Sequence, residues 1–246
     1  MSGHNKWSTI KRKKGENDAK RGKVLTKIGR ELIVAVREGG PDPSNNSKLK
    51  AVIAKAKTMN VPNDNINRII KKASGEGNGN SYTTITYEGY GPSGVAVIVE
   101  TLTDNKNRTA GNVRHFFDKF GGNMGTSGCV SFMFEKQGVI LIENEEEVLD
   151  EEKVMEDALE AGADDFNYED LVFEIKTEPT ALDSVRDALE EKGYSFAQAE
   201  VAFIPSTYTS LTDEHDRLMM NKLIDALEDD DDVQNVWHNW ENPDEE

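Results

Sequence analysis

Cysteine is almost absent: Cys129 is the single one in 246 residues. It permits no internal disulfide and cannot build a cysteine metal site. Long apolar runs are missing as well, and no stretch approaches the roughly 18 residues that a membrane-spanning helix needs. The opening MSGHNKWSTIKRKK carries basic residues with no apolar segment behind them, so it is not expected to be a secretory signal. A soluble, cytoplasmic chain with no membrane contact is expected. No G-x-S-x-G elbow accompanies the serines. His4, His115, His215 and His238 have no His or Cys partner at metal-ligand spacing. The acidic runs at 143–147, 150–152 and 229–232 contain no D-x-[DN]-x-[DN]-G loop and read as solvated faces. The expectation is therefore a protein that is not an enzyme, with no cofactor, no metal and no small-molecule substrate. The competing class, an enzyme such as a nuclease holding a divalent ion on its acidic face, would require 229–232.

What is abundant is charge, and it is segregated. Residues 1–75 hold 18 Lys+Arg and 6 Asp+Glu, a net of +12, while 76–246 hold 11 and 40, a net of −29. A chain of formal charge −17 would be a poor ligand for nucleic acid if that charge were uniform. With one cationic end it can present that end to a polyanion while the rest is repelled outward.

The apolar periodicity changes along the chain. Leu25, Ile28, Leu32 and Val36 recur at three- and four-residue steps and predict a helix over 18–38, with Lys20, Lys23, Lys27 and Arg30 as a second stripe largely opposite. Further helices are predicted at 47–59 and from Pro62 to about residue 75, giving a basic three-helix bundle followed by the linker GEGNGN. Beyond it, strands are expected at 83–88, 95–102, 129–135 and 139–143, with a helix at 109–120. The order strand near 166, strand 171–176, strand 196–203, with helices at 149–161 and 180–192, completes β-α-β-β-α-β, the split-βαβ or ferredoxin-like order. A last helix at 213–228, capped by Thr212, and a strand at 233–237 cannot form a core alone. The expected fold class is α+β with three domains: 1–80, a basic helical domain; 81–135 plus 206–246, a discontinuous α/β sandwich; and 136–205, a ferredoxin-like α/β sandwich.

Two glycine-rich stretches resemble phosphate loops. GYGPSG matches G-x-G-x-x-G, but Pro92 interrupts it and a strand follows, so a hairpin turn is expected. GGNMGTSG lacks the Lys-Ser/Thr of a P-loop and reads as a connector whose glycines could admit a phosphate backbone. The stronger signal is the basic arm. Lys6, Lys11, Arg12, Lys13 and Lys14 flank Trp7, which could stack on a base or anchor the arm, and Lys20, Arg21, Lys23, Lys27 and Arg30 continue it. Lys106, Arg108 and Arg114 form a second, smaller patch. The alternative is intramolecular: the +12 bundle docks on the −29 body.

At these residues the sequence resembles the YebC/PmpR family of probable transcriptional regulators, which includes a mitochondrial translational activator. The matching segments are GHNKWSTIKRKK, DAKRGK, GGPDPSNN, KAKTMNVPNDNINRIIKKASGE, YEGYGPSGVAVIVETLTDNKNRT, GGNMGTSGCVSFMF and DDDDVQNVW, spread over essentially the whole chain. Glu16-Asn17 and Val24-Leu25 depart from the family's usual residues without removing a basic one. The resemblance implies one helical and two α/β domains, and a non-enzymatic, nucleic-acid-binding regulator of gene expression that acts on DNA in transcription. The alternative it implies is a ribosome-associated translation factor that contacts ribosomal RNA through its basic N-terminal domain and relieves stalls such as those at proline runs. A protein-interaction adaptor is a further alternative. Lysines outnumber arginines among the basic candidates and no recognition helix stands out, which suits phosphate contact better than base reading.

Overall fold

The computed structural model describes the backbone of residues 18–75 and 81–241, with side chains from Gly22 onward. Three helices come first: α1 (Asp18–Gly39), α2 (Ser47–Thr58) and α3 (Asn63–Ala73). Ile28, Leu32, Ala35 and Val36 of α1 bury against Leu49, Val52 and Ala56 of α2 and Ile66 of α3. Each such side chain removed from water stabilises by roughly 1.5–3 kcal/mol, which short helices need. Asn46 sets the angle between α1 and α2. Its amide donates to the carbonyls of Ala35 and Gly40 (both 2.8 Å), and its Oδ1 accepts from Leu49 N–H (3.0 Å) as the N-cap of α2.

Two antiparallel four-stranded sheets follow. Strands β1 (Thr83–Tyr90), β2 (Ala96–Thr103), β3 (Asn123–Met124) and β8 (Val233–His238) form the first, in the order β3-β1-β2-β8. Strands β4 (Phe134–Glu143), β5 (Asp165–Glu169), β6 (Val172–Thr177) and β7 (Gln198–Pro205) form the second, in the order β5-β6-β4-β7. With α5 (Glu151–Ala161) after β4 and α6 (Leu182–Glu191) after β6, the second sheet has the ferredoxin-like arrangement. Helices α4 (Lys106–Lys119) and α7 (Glu214–Asp229) cover the outer face of the first sheet.

The near-continuous apolar runs of β2 and β4 are explained by burial on both faces. Val97 and Val99 face α4 and α7, whereas Ala96 and Ile98 face the second sheet. Val139 and Leu141 face the first sheet, whereas Ile140 and Ile142 face α5 and α6. The result is four layers, helices–sheet–sheet–helices, with the bundle attached at one side.

Among the differences from the sequence expectation, three have a visible cause, while β7 and α6 are shifted or trimmed by up to two residues and the expected connector 121–128 contributes β3. Residues 129–133 are not a strand: they form a loop and a 3-10 turn (Ser131–Met133), and one strand then runs from Phe134 through Gly138 to Glu143. The N–H groups of Val130 and Ser131 go to the Glu88 carboxylate and the Cys129 carbonyl accepts from Tyr90 Oη, so no ladder is available there. The cap of α7 is Asp213, which accepts from Asp216 N–H (3.0 Å), rather than Thr212. Helix α4 starts three residues early, because Asn105 caps it through Arg108 N–H.

Candidate nucleic-acid interface

The stripe of cations on α1 meets the acidic end of α7. Lys23 pairs with Asp229, and Lys27 Nζ donates to the Glu228 carbonyl (2.7 Å). Arg30 Nη1 reaches Asp232 Oδ1 and the Asp231 carbonyl, both at 2.6 Å. The Arg30 guanidinium also lies 5.5 Å from the ring centre of Tyr82. From the other side, Arg108 Nη2 donates to Asp232 Oδ2 (2.8 Å) and to Asp104 (2.8 Å). Thr109 Oγ1 adds a hydrogen bond to Asp232 Oδ2 at 2.7 Å. Asp232 is thus a buried carboxylate clamped between a cation of the bundle and a cation of α4. Burial by itself would raise its carboxyl, but the hydrogen bonds from Arg108, Thr109 and Arg30 outweigh it and hold the group below the usual carboxylate range.

Four sequence candidates, Lys23, Lys27, Arg30 and Arg108, are therefore engaged within the molecule. Three of the four carboxylates of 229–232 that a metal-dependent enzyme would need are engaged too: Asp229 by Lys23, Asp230 by the Asn112 amide (2.9 Å) and Asp232 by two arginines. Lys106 and Arg114 are exposed on α4 and pair with no carboxylate among the described residues. Lys6, Trp7, Lys11, Arg12, Lys13 and Lys14 lie outside the described residues, as do the linker residues 76–80. Lys20 and Arg21 have their backbone on the first turns of α1.

Further cations stand on the bundle that periodicity did not single out. Lys57, at the end of α2, and Arg68, Lys71 and Lys72 on α3 are exposed. None of the four pairs with a carboxylate among the described residues, and Arg68 only donates to Asn65 (3.2 Å). Their cue in the sequence was the adjacent Lys71-Lys72 on the polar side of an amphipathic helix. Within the bundle Lys48 pairs with Glu38 and Lys55 with Glu31, and Lys50 makes a further bundle-to-body pair with Asp187 on α6.

The glycine-rich loop after α4 is built around a buried acid that sequence reasoning also passed over. Glu88 Oε1 accepts from Gly128 N–H (2.8 Å), and Oε2 accepts from Val130 (2.9 Å) and Ser131 (2.8 Å). Burial would raise this carboxyl; the three backbone donors win and lower it. The glycines let the loop close over β1. A Cβ on Gly122 would lie 2.5 Å from the Tyr90 carbonyl, and one on Gly89 would lie 2.6 Å from that of Asn123.

A model of the TACO1/YebC protein N-terminal domain matches residues 5–76, and one of the TACO1/YebC second and third domain matches 82–240. This chain belongs to the TACO1/YebC family. Within the family it is 62% identical over 245 residues to a probable transcriptional regulatory protein of Ruminiclostridium cellulolyticum, covering 100% of this chain and 98% of the relative. A protein of the same name from Acetivibrio thermocellus is 60% identical over 240 residues, covering 98% and 99%. The crystal structure of a conserved hypothetical protein from Aquifex aeolicus superposes with a TM-score of 0.83 at 44% identity, over 94% of each chain. The two TACO1/YebC models meet around the segment 77–81, between α3 and β1. The Arg30–Asp232 clamp thus joins the N-terminal part of the TACO1/YebC fold to the remainder.

Proposed function

We propose that this TACO1/YebC chain is a non-enzymatic regulator of gene expression that binds nucleic acid through its N-terminal region. The observation that carries the reading is the division of labour among the bundle's cations. Lys23, Lys27 and Arg30 are spent on the body, whereas Lys57, Arg68, Lys71 and Lys72 have no acid opposite them among the described residues. In this reading they bind phosphate together with the basic residues of the N-terminal sequence, Lys6, Lys11, Arg12, Lys13, Lys14, Lys20 and Arg21, and Trp7 is the candidate to stack on a base. Lys106 and Arg114 make a second, smaller contact. The relatives' name, probable transcriptional regulatory protein, supports transcription as the process; DNA as the polymer and the cytoplasm as the place are part of this proposal.

The lysine-rich make-up of the face favours a second reading, a translation factor that contacts ribosomal RNA, because lysine suits phosphate and shape more than base edges. Crosslinking in intact cells tests both. Wild type is compared with a variant reversing charge at Lys11, Arg12, Lys13, Lys14, Lys71 and Lys72. Crosslinks to discrete DNA sites, lost in the variant, are expected for the transcriptional reading, and lost ribosomal RNA crosslinks for the translational one. Recovery of neither polymer with wild type, or equal recovery with the variant, overturns the proposal.

A further inference from the structure

Phe132 sits with 75% of its surface exposed on the loop that joins the two sheets. An aromatic ring in water is disfavoured, and here the exposure does not come from a slack loop. Glu88 fixes the N–H groups of residues 128, 130 and 131, and Tyr90 Oη donates to the Cys129 carbonyl at 2.9 Å. On the far side, Ser206 donates to the Met133 carbonyl through both N–H (2.9 Å) and Oγ (3.0 Å). The ring is held out by the fold.

The electrostatic setting is unusual for this body. Although 76–246 carry 40 acids, no Asp or Glu occurs from Lys119 to Phe134. The segment clasped against it through Ser206 has no acid of its own from Val201 to Thr212; Glu241 accepts from Ser210 Oγ at its far end and Glu135 lies in register with Ile204. At the two ends of the first stretch exposed acids and lysines alternate, Asp118 beside Lys119 and Glu135 beside Lys136, which leaves the interior of the stretch without charge. Glu88 is buried with its charge taken up by backbone donors. Exposed Asn123, Thr126 and Ser127, with small glycines between them, leave room and hydrogen-bonding groups beside the ring.

We propose that the loop 121–133 is a further nucleic-acid contact, in which the Phe132 ring stacks on an unpaired base of a single-stranded segment whose phosphates run past the stretch 119–134, which carries no acid of its own. The inference rests on the nucleic-acid reading above and adds to it a non-ionic, single-strand-selective element. It gives the GGNMGTSG stretch a role in place of a phosphate loop: it presents a ring rather than cradling a pyrophosphate.

The test measures affinities of the full chain for a 12-nucleotide single strand, as RNA and as DNA of the same sequence, and for the corresponding blunt duplex. Wild type, F132A, F132W and K71E/K72E are compared over a salt series. F132A is expected to weaken both single strands by about tenfold, leave the duplex unchanged and leave the salt slope as in wild type. F132W is expected to restore single-strand binding. K71E/K72E should instead weaken every probe and flatten the slope. Unchanged single-strand binding by F132A overturns the inference and leaves the ring to a protein contact. Equal losses on duplex and single strand, or no rescue by F132W, overturn it as well. If wild type binds none of the probes, the nucleic-acid reading itself fails, an outcome distinct from all of these.

Discussion

Asp232 keeps its charge in a place where an isolated carboxylate would not. Its side chain is 3% exposed and that of Arg30 is 15% exposed, so the pair is screened little by solvent. Pairs of this kind owe their value to completeness: with Arg30, Arg108, Thr103 and Thr109 all placed, the desolvation cost is offset. Removing the charge leaves two guanidinium groups facing a neutral amide. D232N is expected to lower unfolding stability by about 2–4 kcal/mol, read from urea melts, with R30M less damaging because Arg108 remains on the carboxylate. The sequence shows an aspartate in an acidic run, and runs are normally solvated. Nothing in the run distinguishes the buried fourth aspartate from its exposed neighbours, because its partners sit 124 and 202 residues away.

The glycine-rich loop is the element whose reading changed most. Residues 129–133 look like a strand by composition, since Cys, Val, Ser, Phe and Met suit a pleat. A strand needs ladder partners, and Glu88 and Tyr90 take those backbone groups first. The loop is thus decided by side chains on another strand, which no local pattern reports. Helices α1, α2, α3, α5 and α7 and strands β2 and β6 are legible because burial on one face or both imprints a period on the sequence, whereas β4 reads as two pieces broken at Gly138. The same physics predicts the fate of G89A. Its new Cβ would meet the Asn123 carbonyl at 2.6 Å and the Phe117 ring at 2.9 Å, neither of which is the end of a flexible chain. Separation of β1 from β3 is expected, with a loss of about 1–3 kcal/mol and faster amide exchange at residues 122–131 than elsewhere.

At the scale of the molecule, the bundle and the body are held by charge of opposite sign. The stripe on α1 was visible in the sequence as a face opposite the apolar one, but its occupant was not: periodicity gives the direction of a side chain, not what lies beyond it. The clamp has a defined pH response. The folded Asp232 carboxyl lies below its unfolded value of about 3.9, so its contribution is complete above that pH and is lost as pH falls through the folded value. Dyes placed on α3 and α6 are expected to report a constant separation from pH 8 to 5 and from low to high salt, since Arg30–Asp232 is buried. Below about pH 4 the separation should grow while far-UV circular dichroism still reports the sheets. In D232N the separation should already be larger at neutral pH. A separation that stays fixed to the point of global unfolding would show that apolar contacts, not the clamp, hold the bundle.

Strand β8 lies beside β2, and the Ala96 N–H donates to Asn239 Oδ1 across 143 residues of chain (2.7 Å). During synthesis β2 emerges early, apolar on both faces, and must wait with one edge unpaired until residues 233–238 are added. Asp232 arrives at the same late moment, so the bundle, folded long before, has nothing to clasp until then. Both joints therefore depend on segments made more than 120 residues after their partners in β2 and α4. A chain that stops before residue 232 would carry a cationic bundle with no clamp on an open, aggregation-prone sheet.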